Sequence, residues 1–487
     1  MATPIPHNHA CFTTAEIAAA TGGRVLVDAE GCTGVSTDTR NVAPGDLFVA
    51  LAGERFDAHR FLDAAVKAGA RCLLVSSAEA VPAGVGAVLV ADTRRALGDL
   101  AHAHRVRWAA TPHPDGAHAL VAVTGSAGKT TTRRAIAASL EAVAPGQVLE
   151  SEGNLNNLVG APMTLLGLGE QHRFAVVELG TSLRGEIERL AAIAEPDVGV
   201  VTLVAVAHTA GLGTVDDVAD EKGALFAALG AGRVAVANAD DARVVAALAR
   251  APEARRITYG TVESADVRVV ARSSAHGGTA TIASLDGART TLPAFGEATA
   301  LAFAAAWAVL EALSLVPVDL PGFEARFAAA FGRTLAAVAD EPGRLTPRTR
   351  SDGTLVIDDT YNANPASMRA SIATAAEAAG SDRRLVLALG EMRELGGLAA
   401  EEHAAIGRLV AALRPAHLVA VSGEARRIAA IASAAGIDAT FAEASGAAAS
   451  LVAARVRPGD VVLVKGSRGV AMEAIVQMLL AGEGRAA

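Results

Sequence analysis

Residues 123–134, VTGSAGKTTTRR, constrain the fold of this chain more than any other stretch. An apolar run ends at Thr124, a short glycine-containing turn follows, and a helix-like segment begins near Lys129. A strand, a glycine-rich turn and a helix N-terminus in this order present backbone N–H groups and a partial positive charge to phosphate. We therefore predict an α/β sheet with a nucleotide-binding turn at the end of one parallel strand.

The turn is a shortened form of the usual phosphate-binding motif. The full motif has a glycine five positions before Gly128, where this chain has Val123. In that motif the lysine, here Lys129, neutralises the β- and γ-phosphates, and the hydroxyl of the next residue, here Thr130, holds Mg²⁺. The alternative is a glycine-rich turn with a chance lysine, but the flanking strand and helix favour nucleotide binding.

The rest of the chain alternates strand-like and helix-like stretches, so the predicted fold class is α/β. A length of 487 residues suggests two to four domains. Breaks rich in proline at 110–118 (ATPHPDGAH) and 314–322 (SLVPVDLPG) favour three domains. We predict an N-terminal α/β domain (1–112), a central parallel-sheet domain that carries the turn (113–317), and a C-terminal Rossmann-like domain (318–487).

The composition excludes some classes of partner. The net charge is −9 with no basic block, which argues against a nucleic-acid or anionic-membrane partner. No apolar run reaches the roughly 18–20 residues that span a bilayer. The three cysteines, Cys11, Cys32 and Cys72, match no metal motif and fit a reducing compartment. We expect a cytoplasmic protein with small-molecule partners, no membrane insertion and a monomeric state.

Polar residues follow two of the predicted central strands. Glu178 follows the apolar residues FAVV in the stretch FAVVELG (174–180), and His208 ends the stretch VVTLVAVAH (200–208). Open α/β sheets bind ligands at that edge, so these two residues beside a phosphate turn suggest a metal site. Lys222 lies in DEKGALF on a predicted helix, where the spacing alone favours an exposed surface lysine.

Three further stretches carry unusual polar chemistry. GNLNNLVGAP (153–162) is typical of a turn, although its asparagines could also present amide groups to a ligand. IDDTYNANP (357–365) follows a predicted strand, and its aspartates could bind ribose hydroxyls. VKGSRG (464–469) is either an anion-binding loop or a solvated one.

Taken together, these stretches resemble the Mur ligase superfamily, the ATP-dependent amide-forming enzymes of peptidoglycan precursor synthesis. The resemblance spans the whole chain in the expected order and includes STDTRNVAPGDLFVALAGERFDAH (36–59), which is similar to the family's uridine-diphosphate-binding region. GNLNNLVGAP and DDTYNANP place it closest to the branch that adds D-alanyl-D-alanine. That branch joins the dipeptide to UDP-N-acetylmuramoyl-tripeptide (UDP-MurNAc-tripeptide) through an acyl phosphate and releases ADP and phosphate.

The resemblance implies ATP, two Mg²⁺ ions and a modified lysine. The first metal would be held by Thr130 and Glu178, and the second by His208 and Lys222. In the family the lysine at the position of Lys222 is carbamylated, which requires a neutral amine that reacts with CO₂. Lys129, His208 and Lys222 are the implied catalytic residues.

The resemblance also implies two sets of binding residues, one for each substrate, and a C-terminal domain that closes over ATP by a hinge motion. The ATP-binding set is Gly125, Ser126, Ala127, Gly128, Lys129, Thr130, Thr131, Asp358, Asp359, Tyr361 and Asn362. The substrate-binding set is Thr37, Asp38, Thr39, Arg40, Asn154, Asn156, Asn157, Asn364, Lys465 and Arg468.

Two stretches depart from the family pattern. Where the family has polar residues that help bind adenine, this chain has Ala298, Thr299 and Ala302, and Ser182 and Leu183 replace an Asn-His pair. Two alternatives therefore stay open: a Mur-type ligase for another amine, and a diverged relative with weak or no turnover. The sequence does not specify whether the third residue of the peptide is meso-diaminopimelate or L-lysine.

Overall fold

The protein, described here from a computed structural model, consists of three α/β units in chain order. The structure describes residues 5–53, 56–79, 81–207, 209–273, 278–317, 319–337 and 343–481. Each unit is built on its own twisted sheet with helices against it, which confirms the predicted fold class.

The N-terminal unit has a five-stranded sheet. Its elements are α1 (Thr14–Thr21), β1 (Arg24–Val27), β2 (Val35–Ser36), β3 (Leu47–Val49), β4 (Ala52–Gly53), β5 (Phe56–Asp57), α2 (Leu62–Ala68), β6 (Cys72–Val75), β7 (Gly86–Leu89) and α3 (Thr93–Ala110). The strand order is β1-β7-β6-β3-β2, parallel except for β1, and β4 pairs with β5 as a separate hairpin.

The central unit carries a nine-stranded sheet in the order β16-β15-β14-β13-β12-β11-β8-β10-β9. Its strands are β8 (Ala119–Thr124), β9 (Val148–Glu150), β10 (Phe174–Glu178), β11 (Val198–Val201), β12 (Val234–Asn238), β13 (Arg255–Gly260), β14 (Val267–Ser273), β15 (Thr279–Ala283) and β16 (Arg289–Pro293). Its helices are α4 (Lys129–Val143), α5 (Gly160–Leu165), α6 (Glu186–Ala194), α7 (Thr209–Leu212), α8 (Val215–Ala227), α9 (Ala242–Ala247), α10 (Glu297–Ala312) and α11 (Leu320–Ala337). The strands from β9 to β14 are parallel, so their carboxyl ends share one edge.

The C-terminal unit is a doubly wound six-stranded sheet in the order β17-β18-β22-β19-β20-β21, parallel except for β17. Its elements are β17 (Thr346–Thr349), β18 (Leu355–Asp359), α12 (Pro365–Ala379), β19 (Leu385–Gly390), α13 (Ala399–Leu413), β20 (His417–Val421), α14 (Arg426–Ala434), β21 (Ala439–Ala442), α15 (Ser445–Ala453), β22 (Val461–Lys465) and α16 (Glu473–Leu480). Separate apolar clusters fill its two faces, which explains why the strands read as continuous apolar runs.

The N-terminal and central units share one apolar core. Helix α3 packs against α5 and α6 of the central unit, and its buried residues join the same cluster as theirs. Polar contacts reinforce the junction: the Arg105 guanidinium donates to the carbonyl oxygen of Ala194 at 2.9 Å, and His104 Nε2 contacts the Leu168 carbonyl at 2.8 Å. The first two units therefore form a continuous packed body.

Helix α11 packs with the central unit, beyond the domain boundary expected at residue 317. Phe323, Phe327 and Phe331 lie in the cluster that covers the central sheet, and Phe303 of α10 contacts two of them edge to face. Arg326 Nε donates to the Ala142 carbonyl of α4 at 2.9 Å. The helices on both sides of the proline-rich break at 314–322 thus pack on the central sheet.

Among the described residues, none of the helices combines the length and the apolar character that a membrane span requires.

Candidate active site

The glycine-rich turn lies at the carboxyl end of β8, in the middle of the parallel part of the central sheet. Gly125 and Gly128 both have positive φ, of 151° and 80°, and Gly128 directly precedes α4. The segment after β11 supports the turn, because Thr202 Oγ1 donates to the Ala127 carbonyl at 2.6 Å and the Leu203 carbonyl accepts from the Ser126 N–H at 2.7 Å. The free amides at the start of α4 are thereby presented to a ligand.

The two glycines should tolerate substitution differently. A Cβ on Gly125 would lie 2.0 Å from Thr202 Oγ1, whereas a Cβ on Gly128 would meet nothing closer than 3.9 Å. Gly128→Ala should therefore cost only the backbone strain of a left-handed residue, about 1–2 kcal/mol. Gly125→Ala should in addition displace the support of the turn. We expect a clearly lower melting temperature and weaker ATP binding for Gly125→Ala than for Gly128→Ala, measured by calorimetry; equal effects would contradict this geometry.

Lys129 begins α4 and turns back toward the loop. Its Nζ donates to the carbonyl oxygen of Gly125 at 2.8 Å. Burial lowers the pKa of its amine, an effect that the charge of Glu178 opposes and that of Arg344 reinforces. The ammonium thus sits within the turn, where it can exchange the Gly125 carbonyl for a phosphate oxygen.

Glu178 ends β10 and faces the same turn. It is 3% exposed, its Oε2 accepts from Thr130 Oγ1 at 2.7 Å, and its Oε1 accepts from Asn156 Nδ2 at 2.7 Å. Burial would raise its pKa, but the charges of Arg133 and Lys129 outweigh burial, so the pKa of Glu178 lies below its ordinary value. A carboxylate and a hydroxyl are oxygen ligands of the type that Mg²⁺ takes, and this pair therefore fits the predicted metal.

Lys222 lies on α8 and is 2% exposed, which excludes the alternative of a surface lysine. Burial, followed by the nearby charge of Lys129, holds the pKa of its amine well below the ordinary value. His208, its predicted partner at the second metal, lies outside the described residues. No group of three His, Cys, Asp or Glu side chains converges as a metal site within the described part of the chain.

The C-terminal unit supplies a second polar cluster at the carboxyl ends of β18 and β22. Lys465 is 2% exposed and its Nζ donates to Asp359 Oδ2 at 2.6 Å and to the Asn362 carbonyl at 3.0 Å. Asp358 is fully buried and accepts from Thr360 Oγ1 at 2.8 Å, and burial raises its pKa. Of the two candidate ribose ligands, Asp359 is thus already paired with Lys465, whereas the side chain of Asp358 is buried within the protein.

Arg344 is a functional candidate that sequence reasoning missed. Its guanidinium lies over the ring of Tyr361, 3.7 Å from the centroid, and that of Arg468 lies 5.2 Å from the same centroid. Its charge contributes to the lowered pKa values of both Lys129 and Glu178, so it acts on the phosphate turn from the C-terminal unit. The only signal in the sequence is its position after a Pro-Gly pair just before β17.

Direct contacts join the C-terminal unit to the phosphate turn. Asn364 Nδ2 donates to the Ser126 carbonyl at 3.0 Å, while its Oδ1 caps α12 by accepting from the Ser367 N–H at 2.8 Å. Thr209 Oγ1 of α7 donates to the Leu395 carbonyl at 3.0 Å. The phosphate turn and the loop that follows β18 are therefore in direct contact.

The remaining predicted substrate residues are placed in two other turns. Thr37, Asp38, Thr39 and Arg40 follow β2 in the N-terminal unit, and Arg40 holds Asp38 in an ion pair at 2.5 Å that lowers the pKa of that carboxyl. The other turn, between β9 and α5, contains Asn154, Asn156 and Asn157. Within it Asn156 binds Glu178, and Asn157 Oδ1 accepts from the Gly160 N–H at 2.8 Å.

The two departures from the family pattern are visible in the structure. Ala298, Thr299 and Ala302 lie in the first turns of α10, and Ala302 is 1% exposed, so only Thr299 offers a polar side chain there. Leu183 is 59% exposed, and the N–H groups of Ser182 and Leu183 donate to Glu186. Residue Thr131, also predicted to bind ATP, lies in the first turn of α4.

A buried histidine holds the loop after β19. Met392 N–H donates to His403 Nε2 at 2.9 Å, and His403 Nδ1 contacts the Ala399 carbonyl at 2.7 Å. Burial lowers the pKa of His403 below its ordinary value of about 6.5.

The lowered pKa of His403 predicts a loss of stability in mild acid. As the pH falls, this histidine is protonated in the unfolded chain at a higher pH than in the folded protein, so the free energy of unfolding should fall as pH drops below about 6.5. Urea unfolding at pH 7.5 and 5.5 should show this loss, and His403→Gln should reduce it; an equal loss in both proteins would contradict the assignment.

Comparisons with known proteins agree with this geometry. Three family models match consecutive parts of the chain: "Mur ligase family, catalytic domain" at 32–105, "Mur ligase middle domain" at 123–310, and "Mur ligase, glutamate ligase domain" at 343–468. The UDP-N-acetylmuramoyl-tripeptide–D-alanyl-D-alanine ligase of Escherichia coli K12 is 35% identical, with 94% of this chain and 95% of that protein covered. The enzyme of the same name from Mycobacterium tuberculosis H37Rv is 34% identical, with 97% and 98% covered.

Solved structures give the same relationship. MurF from Acinetobacter baumannii superposes with a TM-score of 0.82 at 29% identity, covering 98% of this chain and 99% of that one. MurF ligase from Thermotoga maritima in complex with ADP superposes with a TM-score of 0.77 at 26% identity, covering 91% and 96%. The chain belongs to the Mur ligase family, and within that family it is similar to the UDP-N-acetylmuramoyl-tripeptide–D-alanyl-D-alanine ligases.

Proposed function

We propose that this protein is an ATP-dependent ligase that joins D-alanyl-D-alanine to UDP-MurNAc-tripeptide and forms UDP-MurNAc-pentapeptide, ADP and phosphate. The observation that carries the proposal is the contact of Thr130 with the buried Glu178 at 2.7 Å, beside the Lys129 ammonium held in the phosphate turn. The charges of Lys129 and Glu178 also act on the pKa of the buried Lys222. The names of the relatives support this amine and this nucleotide sugar. They give no support to another amine or to a protein without turnover.

The first step joins two anions. The terminal carboxylate of the tripeptide attacks the γ-phosphorus of ATP, ADP leaves, and an acyl phosphate forms. Lys129 would stabilise the negative charge that develops on the transferring phosphoryl group, and the amides of Ala127 to Thr130 would hold the other phosphates. Arg344 of the C-terminal unit would add a second cation, since its charge already lowers the pKa of Lys129.

The second step forms the amide bond. The amine of D-alanyl-D-alanine attacks the acyl carbon, and the tetrahedral intermediate expels phosphate. The C-terminal unit, which already contacts the turn through Asn364, would exclude water from the acyl phosphate when it closes fully. Asp359, Tyr361, Asn362, Lys465 and Arg468 lie at or just after the carboxyl ends of β18 and β22 and would contact the nucleotide and the dipeptide.

Thr130 and Glu178 would hold one Mg²⁺, and His208 with a carbamylated Lys222 would hold a second. Bound Mg²⁺ supplies positive charge that reduces the repulsion between the carboxylate and the γ-phosphate. Carbamylation needs an uncharged amine, and the burial of Lys222 lowers the pKa of its amine and so favours the uncharged form. A cytoplasmic, monomeric enzyme is part of the same proposal.

ADP release tests the proposal. The purified protein is incubated with ATP, Mg²⁺ and UDP-MurNAc-tripeptide, with and without D-alanyl-D-alanine, and with single amino acids as competing amines. We expect ADP release that depends on the dipeptide. Release that depends on another amine would change the substrate, and ATP binding without release under any condition would overturn the enzymatic assignment.

A further inference from the structure

A cavity of about 310 Å³ lies between the N-terminal and central units. Gly53 and Phe56 of the β4–β5 hairpin and Arg94 of α3 form one wall, and Asn157, Val159 and Glu186 belong to the opposite one. Most of the lining is apolar, with one guanidinium and one carboxylate among it. The volume suits a short peptide, because each amino-acid residue occupies on the order of 100 Å³. It also lies at the lower end of the range of about 300–1,000 Å³ that is usual for small-molecule sites.

The Asn157 side of this cavity is linked to the phosphate site through the preceding residue in the chain. Asn157 follows Asn156, whose side chain donates to Glu178 at 2.7 Å. The other wall belongs to the unit that carries the predicted uridine-diphosphate turn at Thr37 to Arg40. A chain that is anchored in the N-terminal unit and delivers its carboxylate to the γ-phosphate would therefore pass through this cavity.

The two charged groups of the cavity differ in what they can still bind. Glu186 Oε2 already accepts from the N–H groups of Ser182 and Leu183 at 2.7 and 3.0 Å and from Thr181 Oγ1 at 3.1 Å. The guanidinium of Arg94, in contrast, makes no hydrogen bond or ion pair with any residue that the structure describes, and the residue is exposed. A cation with no partner among the described residues, in a mostly apolar cavity, is suited to an anionic group of a ligand.

The helix around Arg94 leaves its side chain available. Asp92 caps α3 by accepting from the backbone N–H groups of Arg94 and Arg95 at 2.8 and 3.0 Å, so its carboxylate is engaged by the backbone. A Cβ on Gly53 would lie 3.8 Å from Arg94 Nη2, which places the guanidinium beside the small residue of the hairpin. The absence of a side chain at Gly53 keeps this part of the cavity open.

We propose that Arg94 binds a free carboxylate of the peptide part of UDP-MurNAc-tripeptide and thereby selects among peptides. The inference rests on the proposed function. Peptides of the alanyl-glutamyl-diaminopimelate type have two such groups: the glutamyl residue keeps one carboxylate after amide formation, and diaminopimelate keeps one after the other is activated. A lysine in third position retains only the glutamyl group, so the two sources can be separated.

The test uses the full-length enzyme and three tripeptide substrates: one with diaminopimelate, one with lysine, and the diaminopimelate peptide with its glutamyl carboxylate amidated. Arg94→Met should raise the KM by roughly tenfold to a hundredfold wherever the contacted carboxylate is present, with kcat little changed. A loss with diaminopimelate but not with lysine identifies the side-chain carboxylate. A loss with both, but not with the amidated peptide, identifies the glutamyl one.

Arg95→Met is the matched control. Arg95 is also exposed, follows Arg94 on the same helix and does not line the cavity, so removing its charge should leave all three KM values unchanged. Arg94→Lys keeps the charge and should recover part of the affinity, and Arg94→Gln replaces Arg94→Met if that variant fails to fold. KM values within twofold of wild type for every Arg94 variant and peptide would overturn the inference. Failure of the wild-type enzyme to release ADP with any tripeptide would instead overturn the proposed function.

Discussion

Lys129→Ala should lower the rate of ADP formation by roughly 10²–10³-fold, the loss expected when a group that stabilises transition-state charge is removed. The Lys129 ammonium lies inside the phosphate turn, with its Nζ 2.8 Å from the Gly125 carbonyl. Alanine leaves the transferring phosphoryl group without that charge. The loss should fall on kcat, because the backbone amides at the start of α4 still bind ATP.

Two controls make this result specific. Lys67 is exposed on α2 of the N-terminal unit, so Lys67→Ala should keep full activity. Calorimetric binding of UDP-MurNAc-tripeptide to Lys129→Ala should remain near the wild-type level, because the predicted uridine-diphosphate turn lies in another unit. Normal ADP formation by Lys129→Ala would contradict the assigned role, and loss of both ATP hydrolysis and UDP-sugar binding would indicate damage to the core that the two units share.

Lys222→Ala should lose activity by at least about a hundredfold, and a small carboxylate should restore part of it. The proposed carbamate is a carboxylate at the end of a buried lysine, and alanine leaves room where it stood. Added bicarbonate or acetate can occupy that room and supply the missing oxygen ligand. Activity is measured against the concentration of added anion, with chloride at equal ionic strength as the control.

An independent readout separates the carbamate from a structural role of Lys222. Wild-type protein in ¹³C-bicarbonate should show a carbamate carbon resonance that is missing from Lys222→Ala. Lys67→Ala should retain that resonance. Full activity of Lys222→Ala without added anion, or an unchanged resonance, would rule out a carbamylated lysine at this position.

Much of the fold was predictable because strand and helix patterns are local. The strand, turn and helix around Lys129 lie where the sequence predicts them, and Glu178 ends the buried strand β10 as expected. The three-unit α/β architecture is confirmed by the sheets themselves. These predictions depend only on apolar patterns and on residues a few positions apart.

The features that sequence reasoning missed depend on packing between distant elements. Arg344 acts on the phosphate turn only because the C-terminal unit is folded against the central one. Helix α11 follows a proline-rich break, and only its packing against α4 and α10 assigns it to the central unit. The sequence also left open whether Asn156 only forms a turn or presents its amide group to a site, and its contact with Glu178 depends on the packing of the turn against β10.

One signal for Lys222 was nevertheless present in the composition. The chain has 43 lysines and arginines together, and lysine occurs only at positions 67, 129, 222 and 465. Three of these four lie in the candidate site, in a chain that otherwise uses arginine. Arginine cannot lose its proton near neutral pH and so cannot be carbamylated, which gives a physical reason for lysine at position 222.

The transfer of oxygen from the tripeptide to phosphate tests the account most directly. UDP-MurNAc-tripeptide labelled with ¹⁸O in its terminal carboxylate is incubated with ATP, Mg²⁺ and D-alanyl-D-alanine, and the released phosphate is analysed by mass spectrometry. An acyl phosphate predicts one ¹⁸O atom in each phosphate, because the carboxylate oxygen that attacked the γ-phosphorus leaves with it. Unlabelled phosphate released together with UDP-MurNAc-pentapeptide would contradict activation of the carboxylate at this phosphate turn.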